Sequence, residues 1–177
     1  TNLSAVKRLV DASIAVGDAK IAYDYVRPIS AIRFLGAGTT IAAWGGPGQG
    51  TRLISGDAFR PYIATPAFAE YTSGHSGFSA AAAAVLAAYT RSPLFGASYT
   101  FKAGTSTVEP GLTPATDITL TWPTFDDAAI EAGMSRRYGG IHFESGDLGS
   151  RAMGDAIGRQ VWQKVQQLVG GGVRRRP

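Results

Sequence analysis

The chain has no cysteine, which excludes disulfides and thiolate metal sites and removes any reading of redox compartment. It has no apolar run near the roughly 18 residues that a bilayer-spanning helix requires. The longest weakly polar stretch, residues 78–89, is alanine-rich, so a membrane-embedded protein is not expected. A basic face interleaved with aromatics, the footprint of nucleic-acid binding, is missing too. The formal charge of +4 includes Arg174, Arg175 and Arg176 and leaves only +1 for the rest. No secretory leader shows, although a processed product would have lost one. The compartment stays open, leaning to secreted or periplasmic.

What remains is enough for one core. Of 177 residues 45% are apolar, which supports a single packed helical domain over residues 1–170, with residues 171–177 as a flexible basic tail. The chain starts at Thr1 and runs at once into a helical pattern. The expectation is therefore the C-terminal part of a longer protein, with a missing N-terminal segment or a partner chain, a second copy being one candidate, covering the first helix.

Apolar residues at three- and four-residue steps, Leu3, Val6, Leu9, Val10, Ile14 and Ile21, predict an amphipathic helix to about Tyr25. Lys20 and Arg27, seven apart, fall on nearly one face if that helix continues, although Pro28 biases Val26 and Arg27 away from it. Residues 36–66 are rich in Gly and Pro and read as surface turns or a covering loop. An alanine-rich helix is predicted from Ser76 to about Thr90, ended by Pro93. Tyr99–Phe101 and Ile118–Trp122 alternate as strands of a small ribbon. Thr124 to Asp127 resembles a capping box opening a helix to about Tyr138, which Gly139 and Gly140 stop. A last helix is predicted from about Leu148 to Val169. Four helices and one ribbon make a mainly α bundle. Trp44, Trp122 and Trp162 read as packing residues.

Histidine is scarce, with two in the chain, and both lie in dense polar clusters: Ser73-Gly74-His75 before a helix, and Ser135-Arg136-Arg137 leading to His142. With Lys20 and Arg27 these supply fixed cationic donors, a helix amino terminus, one imidazole to bond a central atom and another to move a proton. Such a set is suited to holding an oxyanion.

In order and spacing, Lys20-x6-Arg27-Pro28, Ser73-Gly74-His75 and Arg136-x5-His142 resemble the three-part signature shared by vanadium-dependent haloperoxidases and type 2 phosphatidic acid phosphatases. The flanking strings, Asp18-Ala19-Lys20, Arg27 to Arg33, Thr65 to Phe68 and Tyr138 to Phe143, resemble the soluble haloperoxidase branch. The resemblance implies a helical bundle and vanadate as cofactor, with phosphate able to occupy the same site. His142 would bond apically to vanadium, while Lys20, Arg27, Arg136, Ser73 and the Gly74 amide bind the equatorial oxygens. His75 would take a proton from hydrogen peroxide as Lys20 polarises it, and halide oxidation to hypohalous acid would follow. Phe68, seven positions before His75, matches the place where chloroperoxidases carry phenylalanine and bromoperoxidases often carry histidine.

The same cradle suits a soluble acid phosphatase, with His142 as nucleophile and His75 protonating the leaving alcohol, and a catalytically silent subunit is the third reading. Phosphatases of the superfamily orient the nucleophile with an aspartate four residues on. Here position 146 is Gly and the acid is Asp147, which tilts the reading toward peroxidase. Asp147 and Glu144 read equally as amino-terminal acids of the last helix. Arg137 reads as an exposed or salt-bridging residue. Thr72 departs from the proline that commonly precedes Ser-Gly-His, and no carboxylate can be assigned beside His75.

Overall fold

The computed structural model describes residues 2–170; the basic tail predicted over residues 171–177 lies outside the described residues. Among these residues five α-helices and two ribbons are present: α1 (Asn2–Tyr23), α2 (Pro28–Leu35), β1 (Thr40–Trp44), β2 (Thr51–Ser55), α3 (Gly74–Thr90), β3 (Leu94–Phe101), β4 (Ile118–Thr124), α4 (Phe125–Tyr138) and α5 (Glu144–Gly170), with a short 3-10 turn at Gly56–Ala58. The mainly helical prediction is met.

The centre is the α3/α5 pair, and it is made of small residues. Ala80, Ala81 and Ala83 are buried. A Cβ added to Gly154 of α5 would sit 3.0 Å from Gly77 Cα of α3, and one at Gly158 would sit 2.9 Å from the Ala84 Cβ. The helices therefore meet almost backbone to backbone, and dispersion between close-packed main chains replaces large interdigitating side chains. Buried Ala12 and Val16 of α1 close one flank of this pair, with Val16 Cγ2 3.1 Å from a Cβ at Gly77. The opposite face of α1 leaves Ile14 and Ile21 exposed.

Local chemistry accounts for most element ends. Ser73 caps α3, its side chain accepting from the Ser76 amide. Thr124 and Asp127 form the predicted capping box, with Asp127 N donating to Thr124 Oγ1 at 3.1 Å and Thr124 N to Asp127 Oδ2 at 2.9 Å. The predicted ribbon is present: β3 and β4 pair antiparallel, Tyr99 facing Leu120 and Phe101 facing Ile118. The Trp residues also have polar duties, Trp122 donating to Glu131 and Trp44 to Glu109.

Three predictions need correction. Residues 36–66 are not merely turns, because β1 and β2 pair antiparallel from Thr40 opposite Ser55 to Trp44 opposite Thr51. Their Thr and Ile residues favour strand, and buried Glu109 ties the hairpin end down by accepting from Gly48 N at 3.0 Å and Trp44 Nε1 at 3.3 Å. The helix count rises to five because Pro28 begins α2 at a position where a missing N–H costs nothing. Consequently Lys20 and Arg27 share no helical face: α1 stops at Tyr23, Asp24 takes φ 39°, and Arg27 is extended at φ −79°, ψ 151°.

Candidate active site

The two cations meet by a different route. Lys20, in the last turn of α1, donates from Nζ to Ala69 O at 2.7 Å and to Glu70 O at 3.2 Å. Arg27, buried, uses its whole planar fork: Nε to Phe68 O at 2.8 Å, Nη2 to Ala69 O at 3.2 Å, Nη1 to Ile141 O at 2.9 Å, and Nη1 again toward His142 Nε2 at 3.1 Å. Both cations thus share the Ala69 carbonyl. Both also lie over the Phe68 ring, 4.9 Å and 5.0 Å from its centre. Arg27 fastens the 68–70 segment to the 141–142 segment.

Crowding has an electrostatic consequence. Burial first, and then the neighbouring Arg27 charge, lower the Lys20 pKa to about 8, against a raising contribution from Glu70. Burial likewise lowers that of Arg27, again opposed by Glu70.

His142 follows the Gly139-Gly140 stop of α4 and is 7% exposed. Its Nδ1 lies 2.6 Å from Glu70 Oε1, and the same oxygen accepts Phe143 N at 3.0 Å. A guanidinium only donates, so the Arg27 contact requires a lone pair on Nε2 and places the ring proton on Nδ1. Burial foremost, with the Arg27 and Lys20 charges, holds the His142 pKa below its ordinary value despite the Glu70 hydrogen bond. The ring is accordingly neutral at neutral pH. Its basic nitrogen faces the cations.

Ser73 and Gly74 stand at the amino terminus of α3, where unpaired amides and the helix dipole favour negative charge. Ser73 is fixed through its main chain, its N–H donating to Gly146 O at 3.0 Å and its carbonyl accepting Ser150 Oγ at 2.6 Å. Ser76 Oγ lies 2.8 Å from both Ser73 Oγ and Asp147 Oδ1. The Ser76 hydroxyl has one proton and the carboxylate can only accept, so the Ser73 proton is left to turn to Ser76 or to a guest. Thr72 is buried and its hydroxyl has no partner.

His75 is exposed in the first turn of α3. Its pKa is lowered foremost by partial desolvation and then by the Arg136 charge, so it too is neutral at neutral pH. Arg136 is half-buried and donates to Ser135 Oγ at 3.0 Å. Arg137 points elsewhere, reaching Glu144 at 2.7 Å and Asp147 at 3.6 Å. That meets the salt-bridging reading.

The departure at positions 146 and 147 has a structural counterpart. Asp147 does not reach His142; it is fully buried and held by both nitrogens of the Arg151 fork, at 3.0 Å and 2.7 Å. The carboxylate on His142 is Glu70, which the sequence analysis missed. Glu70 lies in an irregular loop 72 residues from His142, and only the glycine at position 146 hints that an acid arrives from elsewhere.

The family model described as "VCPO second helical-bundle domain" matches residues 4–171. No curated protein matches the chain. Among solved structures, the holo form of a bacterial vanadium-dependent chloroperoxidase is 31% identical with a TM-score of 0.89, over 94% of this chain and 36% of that one. Its apo form is also 31% identical, with a TM-score of 0.90 and the same coverage. A bacterial vanadium-dependent iodoperoxidase is 28% identical with a TM-score of 0.63, over 91% of this chain and 32% of that one. The chain thus spans about a third of the length of the structures it matches. With the family model covering nearly every residue, the chain belongs to the family of the second helical-bundle domain of vanadium chloroperoxidases.

Proposed function

We propose that this chain carries the vanadate cradle of a haloperoxidase that oxidises halide with hydrogen peroxide. The observation that carries the reading is the lone pair of His142 Nε2, fixed on a neutral imidazole among cations. The donor set fits an oxyanion. A bare cation would need a cluster of acids and imidazoles, and among the described residues no group of three or more His, Cys, Asp or Glu is placed to hold one.

In this reading Nε2 of His142 is the protein's bond to vanadium. Lys20, Arg27 and Arg136 bind the remaining oxygens together with the Ser73 hydroxyl and the Gly74 amide. When bound, vanadate supplies Lewis-acid activation of peroxide at constant oxidation state. His75, neutral and exposed, takes the proton of the incoming hydrogen peroxide. Phe68 walls the halide approach and keeps the two cations from turning to bulk water. A further segment of the same protein or a partner chain covers the exposed side of α1.

A phosphatase reading has its own support. The Glu70 contact gives His142 the carboxylate that a nucleophilic imidazole requires, so glycine at position 146 no longer argues against it. The balance toward peroxidase rests on the chloroperoxidase and iodoperoxidase neighbours.

Two assays decide between them: halogenation of a β-diketone with peroxide, with and without orthovanadate, and hydrolysis of an aryl phosphate. Vanadate-dependent halogenation is expected; vanadate-inhibited hydrolysis alone identifies the phosphatase, and neither activity a silent subunit. Within the peroxidase, His142→Ala should abolish orthovanadate binding. His75→Ala should keep it and slow turnover about 10²–10⁴-fold. Equal loss of binding in both refutes the role assignment.

A further inference from the structure

We propose that Glu70 is the positioning residue for His142, and that Gly146 is glycine to admit it, so that the two positions act as one unit able to supply the acid from either side. This rests on the reading of Nε2 as the atom that meets the guest.

Three observations carry it. Glu70 is 0% exposed and its Oε2 has no hydrogen-bond partner, a costly state for a carboxylate unless its other oxygen serves a purpose. That other oxygen accepts from two successive groups, the His142 ring and the Phe143 amide. One acid therefore sets both the rotation of the imidazole and the backbone that presents it. The Phe143 bond also keeps Oε1 on the Nδ1 side of the ring, so Nε2 stays directed toward Arg27.

The third observation concerns space. A Cβ at Gly146 would lie 2.7 Å from Glu70 Oε2, 2.8 Å from Cδ, and closer still to Oε1. Even alanine would therefore displace the carboxylate, which has no spare room. The separation from Oε1 is about that between Cβ and a carboxylate oxygen within a single aspartate, from standard bond lengths. An acid grown from position 146 can thus place an oxygen where Oε1 now sits. The backbone there is already anchored, because Gly146 O accepts the Ser73 amide.

The test uses four proteins: wild type, Glu70→Ala, Gly146→Ala, and Glu70→Ala with Gly146→Asp. Imidazole nitrogen NMR reads the tautomer of His142; with two histidines in the chain, His75→Ala completes the assignment. Calorimetry reads affinity for orthovanadate. Wild type should show the proton on Nδ1. Both single variants should mix the tautomers and weaken orthovanadate roughly 10–100-fold, the usual cost of losing a ligand's hydrogen-bond partner. Gly146→Ala should do so with the acid still in the chain. The relocated acid should restore the tautomer and bring affinity back within about threefold of wild type.

A wild-type tautomer in Glu70→Ala, a harmless Gly146→Ala, or a double variant no better than the single each overturns the proposal. If Glu70→Ala fails to fold, the double variant decides alone: recovery of both fold and tautomer supports the unit, and failure refutes it. Should wild type bind no orthovanadate while the tautomer pattern holds, the vanadate reading falls and the Glu70–Gly146 unit stands.

Discussion

Arg27→Met measures how much of this site is scaffold. The substitution keeps an unbranched apolar stem and removes every donor. Three carbonyls lose a partner, but Ala69 O retains Lys20 at 2.7 Å, so two are orphaned: Phe68 O and Ile141 O. The buried Ile141 carbonyl costs about 1–3 kcal/mol when left unsatisfied, and the part-buried Phe68 carbonyl, nearer to water, costs less. Glu70 also loses a cation whose pKa it helps to hold up. Against this, a guanidinium disfavoured by burial is no longer desolvated, which returns part of the loss. The net expectation is destabilisation of about 1–4 kcal/mol, a sizeable share of a domain's usual 5–15 kcal/mol. Urea unfolding with a constant slope measures it. A change below about 1 kcal/mol would show that water repairs the 68–70 and 141–142 segments and that Arg27 is a ligand only.

Lys20 should make oxyanion affinity fall with alkali. Its pKa of about 8 lies below the ordinary value, so the charge is present below that pH and lost as pH rises through it. A bound anion restores the proton. Tungstate, whose charge is constant above neutrality, should weaken roughly tenfold or more from neutrality to high pH and take up a proton on binding in that window, read calorimetrically in two buffers; Lys20→Met should bind weakly at all pH values. Asp147→Asn should cost about 3–5 kcal/mol in urea unfolding, because Arg151 and Ser76 keep their positions but lose the buried charge that holds them. Gly154→Ala should destabilise the α3/α5 contact by about 1–3 kcal/mol, outweighing the roughly 1 kcal/mol gain in helix propensity. Gly17→Ala, with nothing within 4 Å of the new Cβ, is the control and should stabilise.

Four of the five helices and the second ribbon could be read in advance because their signals are local. Periodicity marks α1 and α5, and alanine with a preceding serine marks α3. The Thr124–Asp127 box opens α4. The errors arise where a local signal has two meanings. Pro28 both stands just past one helix and begins another, and the glycines of residues 36–66 hide two strands whose connecting turn is held by Glu109, some sixty residues downstream of Gly48. The site shows the same division. The candidate cations, serine and imidazoles stand in spaced strings, whereas Glu70 does not. Its role exists only where the loop before Ser73 meets the start of α5, and no spacing along the chain encodes that meeting.

Two buried acids set the electrostatics of the proposed cradle, and each is spent on donors rather than on a guest. Glu70 turns one oxygen to His142 and Phe143 and supports the charges of Lys20 and Arg27. Asp147 holds Arg151 and, through Ser76, the amino terminus of α3. Either acid facing the proposed guest would repel an oxyanion. Instead Glu70 stands behind the imidazole, on its Nδ1 side, while Nε2 looks toward the cations. With Arg136 joining Lys20 and Arg27 as proposed, three positive charges would stand against the single negative charge of Glu70, an excess suited to a doubly charged oxyanion and wasteful for a neutral ligand. On that arithmetic a monoanion such as nitrate should bind far more weakly than tungstate or phosphate in competition calorimetry, and equal binding would mean that the cations answer to the main-chain carbonyls alone.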